Sequence, residues 1–122
     1  MNKTVCLLLF FGLLLFFGCV QATESSIVGI WHCTHALGLP VSSNTYYYKF
    51  NSNDTFSRDT SKSNLGSETA SYGEYSISNG KLDIEFMDIA NNGDELSFEA
   101  YISGTTMYWY LNGIEAVRLA RQ

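Results

Sequence analysis

From residue 29 onward the chain is cut into short runs of alternating apolar and polar residues, each ended by a tight polar turn. In KLDIEF, Leu82, Ile84 and Phe86 fall on one side and Asp83 and Glu85 on the other. In ELSFEAYIS, Leu96, Phe98, Ala100 and Ile102 oppose Ser97, Glu99, Tyr101 and Ser103. A period of two places alternate side chains on opposite faces of a strand, so each run is half buried. The turns agree: SNG at 78–80, NNGD at 91–94, SGT at 103–105 and Asn112-Gly113. Asn-Gly suits a two-residue hairpin, because both residues tolerate positive φ. These signals predict about eight strands, over 30–37, 45–50, 55–60, 68–78, 81–87, 95–103, 105–111 and 114–121. Connections this short join only sequential antiparallel neighbours. The expected fold is therefore all-β, a small antiparallel up-and-down barrel of eight strands in which closure removes the exposed edges. Helical periodicity is nearly absent and Pro40 is the only proline. One barrel domain over 23–122 is expected, with a polar loop at 61–67.

Residues 1–22 read as an export signal that leaves before folding. Lys3 gives a positive start, 5–17 form an apolar run, and GCVQA supplies small residues. The apolar run is shorter than the roughly 20 residues of a membrane span. Two processing routes are open. Val20 and Ala22 fit cleavage after Ala22, leaving Thr23 first. Alternatively, FFGC resembles a bacterial lipobox, in which cleavage ahead of Cys19 leaves a lipid-modified cysteine at the start of the mature chain. Either route places the protein outside the cytoplasm, periplasmic, secreted or lipid-anchored in the envelope.

Loss of Lys3 with the leader leaves six basic residues against twelve acidic ones, a formal charge of −6. Nucleic-acid binding would need a basic stripe, so it is not expected. Membrane association is expected only through a lipid on Cys19. Cys6 leaves with the signal and Cys19 is removed or acylated, so Cys33 stands alone in the barrel. Such a cysteine is either buried or pairs between two chains as a homodimer.

The stretch WHCTH tests whether the chain carries chemistry. On a regular strand Trp31, Cys33 and His35 share a face and His32 points the other way. Zinc needs three or four ligands, and no second Cys/His pair completes a set. A reactive thiol would need a helix N-terminus or a charged neighbour, and a strand offers neither. Cys33 is read as a small core residue. The glutamates lie on polar strand faces, and no nucleophile elbow or phosphate loop occurs. No catalytic residue, metal or cofactor is expected, and the chain reads as a non-enzyme.

Aromatic residues are the positive signal. Phe50 should face inward, which puts Tyr48 and Tyr46 on its side, and Trp109 shares a face with Met107 and Leu111. Tyr46, Tyr48, Phe50, Tyr72, Phe86, Phe98 and Trp109 are the candidate lining of a small pocket with apolar walls and polar tips. An eight-strand interior holds packed side chains or one small ligand.

Gly29-Ile30-Trp31 opening the first strand, YKFNSNDTFS, YGEYSISNGKLDIEF and the closing EAVRLARQ, in that order, resemble the lipocalin-like superfamily across residues 27–121. The resemblance implies that Trp31 plugs one barrel end with Arg118 or Arg121 against its ring, a structural role. It also implies an exported binding protein for a small apolar or aromatic ligand. The alternative is a filled barrel acting through its surface, as an envelope structural or protease-inhibitor-like module. Asp54-Thr55 departs from the superfamily's Asp-Gly-Thr turn.

Overall fold

A computed structural model describes residues 19–122; the expected signal segment up to residue 18 lies outside them. The elements are β1 (Cys19–Gln21), α1 (Glu24–Ile27), β2 (Gly29–Ala36), β3 (Leu39–Pro40), β4 (Tyr47–Phe50) and β5 (Thr55–Asp59). They continue with β6 (Ser71–Ser78), β7 (Lys81–Phe86), β8 (Glu95–Ser103), β9 (Thr106–Leu111) and β10 (Ile114–Arg121). From β4 to β10 every strand pairs antiparallel with the next, β2 pairs β4, and β10 returns to β2. This is the closed eight-strand meander expected from the alternation. Two short strands sit outside it: β3 beside β2, and β1 beside β8.

The turns explain the sharp connections. Asn79 and Gly80 both have positive φ (53° and 79°), as do Asn112 and Gly113 (53° and 80°). Left-handed geometry at both central residues matches the twist of the flanking strands. At the remodelled turn Asp54 takes φ 69°, the conformation that a glycine would supply.

The chain directions sort the connections onto two ends. One end carries α1, the 51–54 turn and the 79–80 and 104–105 turns. The other carries the longer loops at 37–46, 60–70 and 87–94. The first end is sealed. Ile27 and Trp31 are fully buried there, and Trp31 Nε1 donates to the Ile27 carbonyl at 2.8 Å. The guanidinium of Arg121 lies 4.2 Å from the Trp31 ring centre. Its Nη1 and Nη2 donate to the carbonyls of Val28 (3.1 Å) and Ser26 (2.8 Å), binding the last barrel strand to the end of α1. Arg121 is thus the arginine of the plug. Arg118 instead forms a bidentate pair with Glu115 and lies 5.3 Å over Tyr108. Gly29 is required beside this plug: its φ is +135° and a Cβ would come within 2.8 Å of Arg121 Nη1.

Three features add to or depart from the sequence-based expectation. First, residues 19–22, read from the sequence as the end of the signal, pair in this chain as β1 with Tyr101, Ile102 and Ser103, and Ala22 is 2% exposed with its amide on the Ala100 carbonyl. β8 runs on past the end of its pairing with β7, and β1 pairs with the edge left free there. Second, the pairing of β2 with β10 slips between Cys33 and His35, leaving Thr34 as an extra residue in a bulge. The bulge turns His35 to the side of Arg118, away from the barrel, so Cys33 and His35 do not share a face. A matching slip at Ala116 interrupts β10 against β9. Third, Tyr72 is half exposed and pairs across from Ser57 on the outer face. The inward residues of β6 are Gly73, Tyr75 and Ile77, so Tyr72 does not line the interior.

Candidate functional site

The interior is one continuous cluster of rings and aliphatic side chains. Tyr48 and Phe50 stack at 6.1 Å, and Trp109 meets Tyr48 edge-on at 5.0 Å and Phe98 in a near-parallel stack at 5.0 Å. Phe50 also packs against Phe56 at 6.3 Å and Tyr75 at 4.9 Å, and Phe56 meets Phe86 edge-on at 5.1 Å. Offset and edge-to-face pairs of this kind add about 0.5–1.5 kcal/mol each beyond the area they bury. The middle of the barrel is therefore filled.

At the end opposite the Trp31 plug the packing changes character. Alternation along β5 sends Phe56 and Arg58 inward together. The Arg58 guanidinium lies 4.1 Å from the Tyr46 ring centre and 4.4 Å from that of Phe86. A cation between two ring faces gains roughly 0.5–2 kcal/mol per ring, depending on its exposure. Tyr46, 43% exposed, forms the rim, and Phe86 closes the last position of β7. Arg58 Nε is buried with no hydrogen-bond partner, and so is Trp109 Nε1 deeper in the barrel. An unmatched buried donor costs about 1–3 kcal/mol. Two of them, one at the mouth and one deeper, are the least expected feature of the fold.

The ionisable groups around this mouth are held neutral or fixed by their surroundings. Burial pushes the Tyr48 hydroxyl up, with the nearby Arg58 working against the shift. Burial also raises the Cys33 thiol, opposed by its 3.5 Å hydrogen bond to the His35 carbonyl. A thiol shifted this way is a poor nucleophile and metal ligand. For Asp88, in the 87–94 loop, burial is outweighed by hydrogen bonds from Asn91 and the Tyr72 amide and by the Arg58 charge, and its carboxyl is lowered. Among the described residues no three His, Cys, Asp or Glu are arranged to hold a metal ion, and no helix is long and apolar enough to cross a membrane. His32 instead stacks on Tyr47 at 3.9 Å outside the barrel.

Of the seven aromatic residues singled out from the sequence, six form this connected network. Tyr46 and Phe86 stand at the mouth, and Tyr48, Phe50, Phe98 and Trp109 lie below it. Tyr72 stands outside. The residue that sequence reasoning missed is Arg58. Its signal was present, since TFSRD places it two positions from Phe56 on the same face. A family model described as the lipocalin-like domain matches residues 27–112 of the chain. No curated protein and no solved structure matches it.

Proposed function

The chain belongs to the lipocalin-like domain family, and from that premise we propose that it is an exported binding protein rather than an enzyme. Its ligand is a small apolar or aromatic molecule held at the barrel mouth, not deep within the barrel. The observation that carries this reading is the unmatched N–H donor of Arg58, its Nε set among aromatic rings at the mouth. An acceptor atom on the ligand satisfies a donor there, and Tyr46, Phe86 and Tyr48 supply faces for its apolar body. The filled interior supports the alternative, a barrel acting through its outer surface, because Trp109 and Phe50 occupy the space a larger ligand would need.

Arg58→Met separates the two. Methionine keeps the apolar stem between the rings and removes the charge and the unmatched donor. Loss of the two cation–π contacts is offset by relief of the unmatched donor, so only a small change in Tm is expected. With it goes loss of any non-covalent mass that native mass spectrometry finds on protein purified gently from its own envelope. A bound mass retained in full by Arg58→Met would overturn the mouth as the site.

The export reading is supported by the apolar leader, and β1 favours one processing route. Cleavage after Ala22 strips a strand that pairs with β8, whereas cleavage ahead of Cys19 keeps it. The mass of the mature N-terminus tells the two routes apart.

A further inference from the structure

A second concavity lies on the outside of the barrel, across β4, β5 and β6 beneath residues 66–68 of the long loop. Its volume is about 490 Å³, within the range of small-molecule sites. It is separate from the mouth, because none of Tyr46, Arg58 and Phe86 lines it; outward residues of β4, β5 and β6 form most of its walls, and Phe56 and Gly73 reach it from within.

Ser57 forms its floor. This serine is 3% exposed, and its Oγ is buried with no hydrogen-bond partner. It lies directly between Lys49 on β4 and Tyr72 on β6. Outward serines on strands ordinarily bond to water, so a buried, unmatched hydroxyl marks a place that a polar atom is built to fill. Lys49 has no ion pair among the described residues. Tyr72 and Met87, both about half exposed, give the groove an aromatic face and a flexible thioether wall. Glu68 and Glu74 line it too and bring negative charge.

We propose that this groove binds a small zwitterion carrying an apolar side group, of the α-amino acid type. The carboxylate meets Lys49 Nζ and the Ser57 hydroxyl, the ammonium meets Glu74 or Glu68, and the side group rests on Tyr72 and Met87. Both charges are needed. A simple anion would face two carboxylates, and a simple amine would leave Ser57 and Lys49 without an acceptor.

The test is an NMR titration of the full mature protein with L-phenylalanine, with phenylacetate and phenethylamine as single-charge controls. Saturable amide shifts at Lys49, Ser57, Tyr72 and Met87 are expected, with both controls weaker. Ser57→Ala should weaken phenylalanine binding about fivefold, the worth of one hydrogen bond, without lowering Tm, because the hydroxyl has no partner to lose. Lys49→Met should abolish it, and Arg58→Met at the mouth should leave it intact. Absence of shifts at millimolar phenylalanine, shifts confined to the mouth, or equal binding of either control would overturn the proposal. So would full binding by both groove variants.

Discussion

At the scale of single residues, the sequence was most readable where alternation alone decides. Arg121 shares the parity of Val117 and Leu119, and the structure resolves the open choice between the two arginines along that parity, with Arg121 toward Trp31 and Arg118 away. The same rule, counted from Ile77, turns Tyr75 inward and Tyr72 outward; counting aromatic residues without their parity put Tyr72 on the wrong face. What parity does not disclose is which inward polar atoms go unmatched, and Arg58 became visible only with its neighbours in place. Asp54 illustrates a residue at odds with its backbone. It holds a left-handed φ, and its carboxylate, by hydrogen bonding and by charge, raises the Glu24 carboxyl, with burial adding to the shift. A carboxyl raised in the folded state is favoured in its protonated form, so it destabilises the fold at neutral pH and does so less as pH falls. Asp54→Gly relieves both problems. Left-handed strain in a non-glycine residue costs roughly 1–2 kcal/mol, reduced for Asp, so a gain of about 0.5–1 kcal/mol is expected. Urea denaturation at pH 7 measures it, and the Glu24 carboxyl should return toward its ordinary range in an NMR titration.

Among elements, the eight barrel strands were legible because each is short, alternating and bounded by turn residues. The bulges at Thr34 and Ala116 were not. Neither residue type marks a bulge, and the slip arises from fitting β2 and β10 together at the seam, a non-local event. β1 was hidden for a different reason. Its residues, CVQ, fall in a stretch whose sequence resembles a processing signal, and Ala22 reads equally as a cleavage residue and as a buried one. The structure adds the second meaning. A chain beginning at Thr23 loses the β1 ladder and exposes the side of β8 that Ala22 covers. It is expected to be less stable by about 1–3 kcal/mol, from a few hydrogen bonds and a small apolar area. For a domain of this size that lowers Tm by several degrees, which a calorimetric comparison with a chain beginning at Cys19 would show.

For the whole molecule, fold class and closure followed from connection length, whereas the choice between an empty and a filled interior did not, since both share one strand pattern. Two buried phenols tie the stability of the molecule to alkaline pH, Tyr75 inside the barrel and Tyr110 on its outer face. Burial, helped by the charges of Asp54 and Glu24, pushes Tyr75 up to about 12. Burial, helped by Glu115, does the same for Tyr110. In the unfolded chain both ionise near 10. The folded state therefore favours the neutral phenols, and that stability is complete below pH about 10 and is lost as pH rises toward 12. Tyr75→Phe should be less stable than the parent at pH 7, because Tyr75 donates to the Asn51 carbonyl at 2.7 Å. It should nevertheless lose less stability between pH 9 and 11.5 in guanidinium titrations. A parallel loss in both proteins would remove Tyr75 from the account.

The seam between β2 and β10 has a consequence in time. Arg121 locks onto Trp31 and α1 from the far end of the chain, ninety residues later in synthesis. Until that strand has been made, β2 has no second neighbour and the tryptophan plug has no bolt. The barrel of such a chain closes only when β10 is complete, so the seam is the last part of the ring to form.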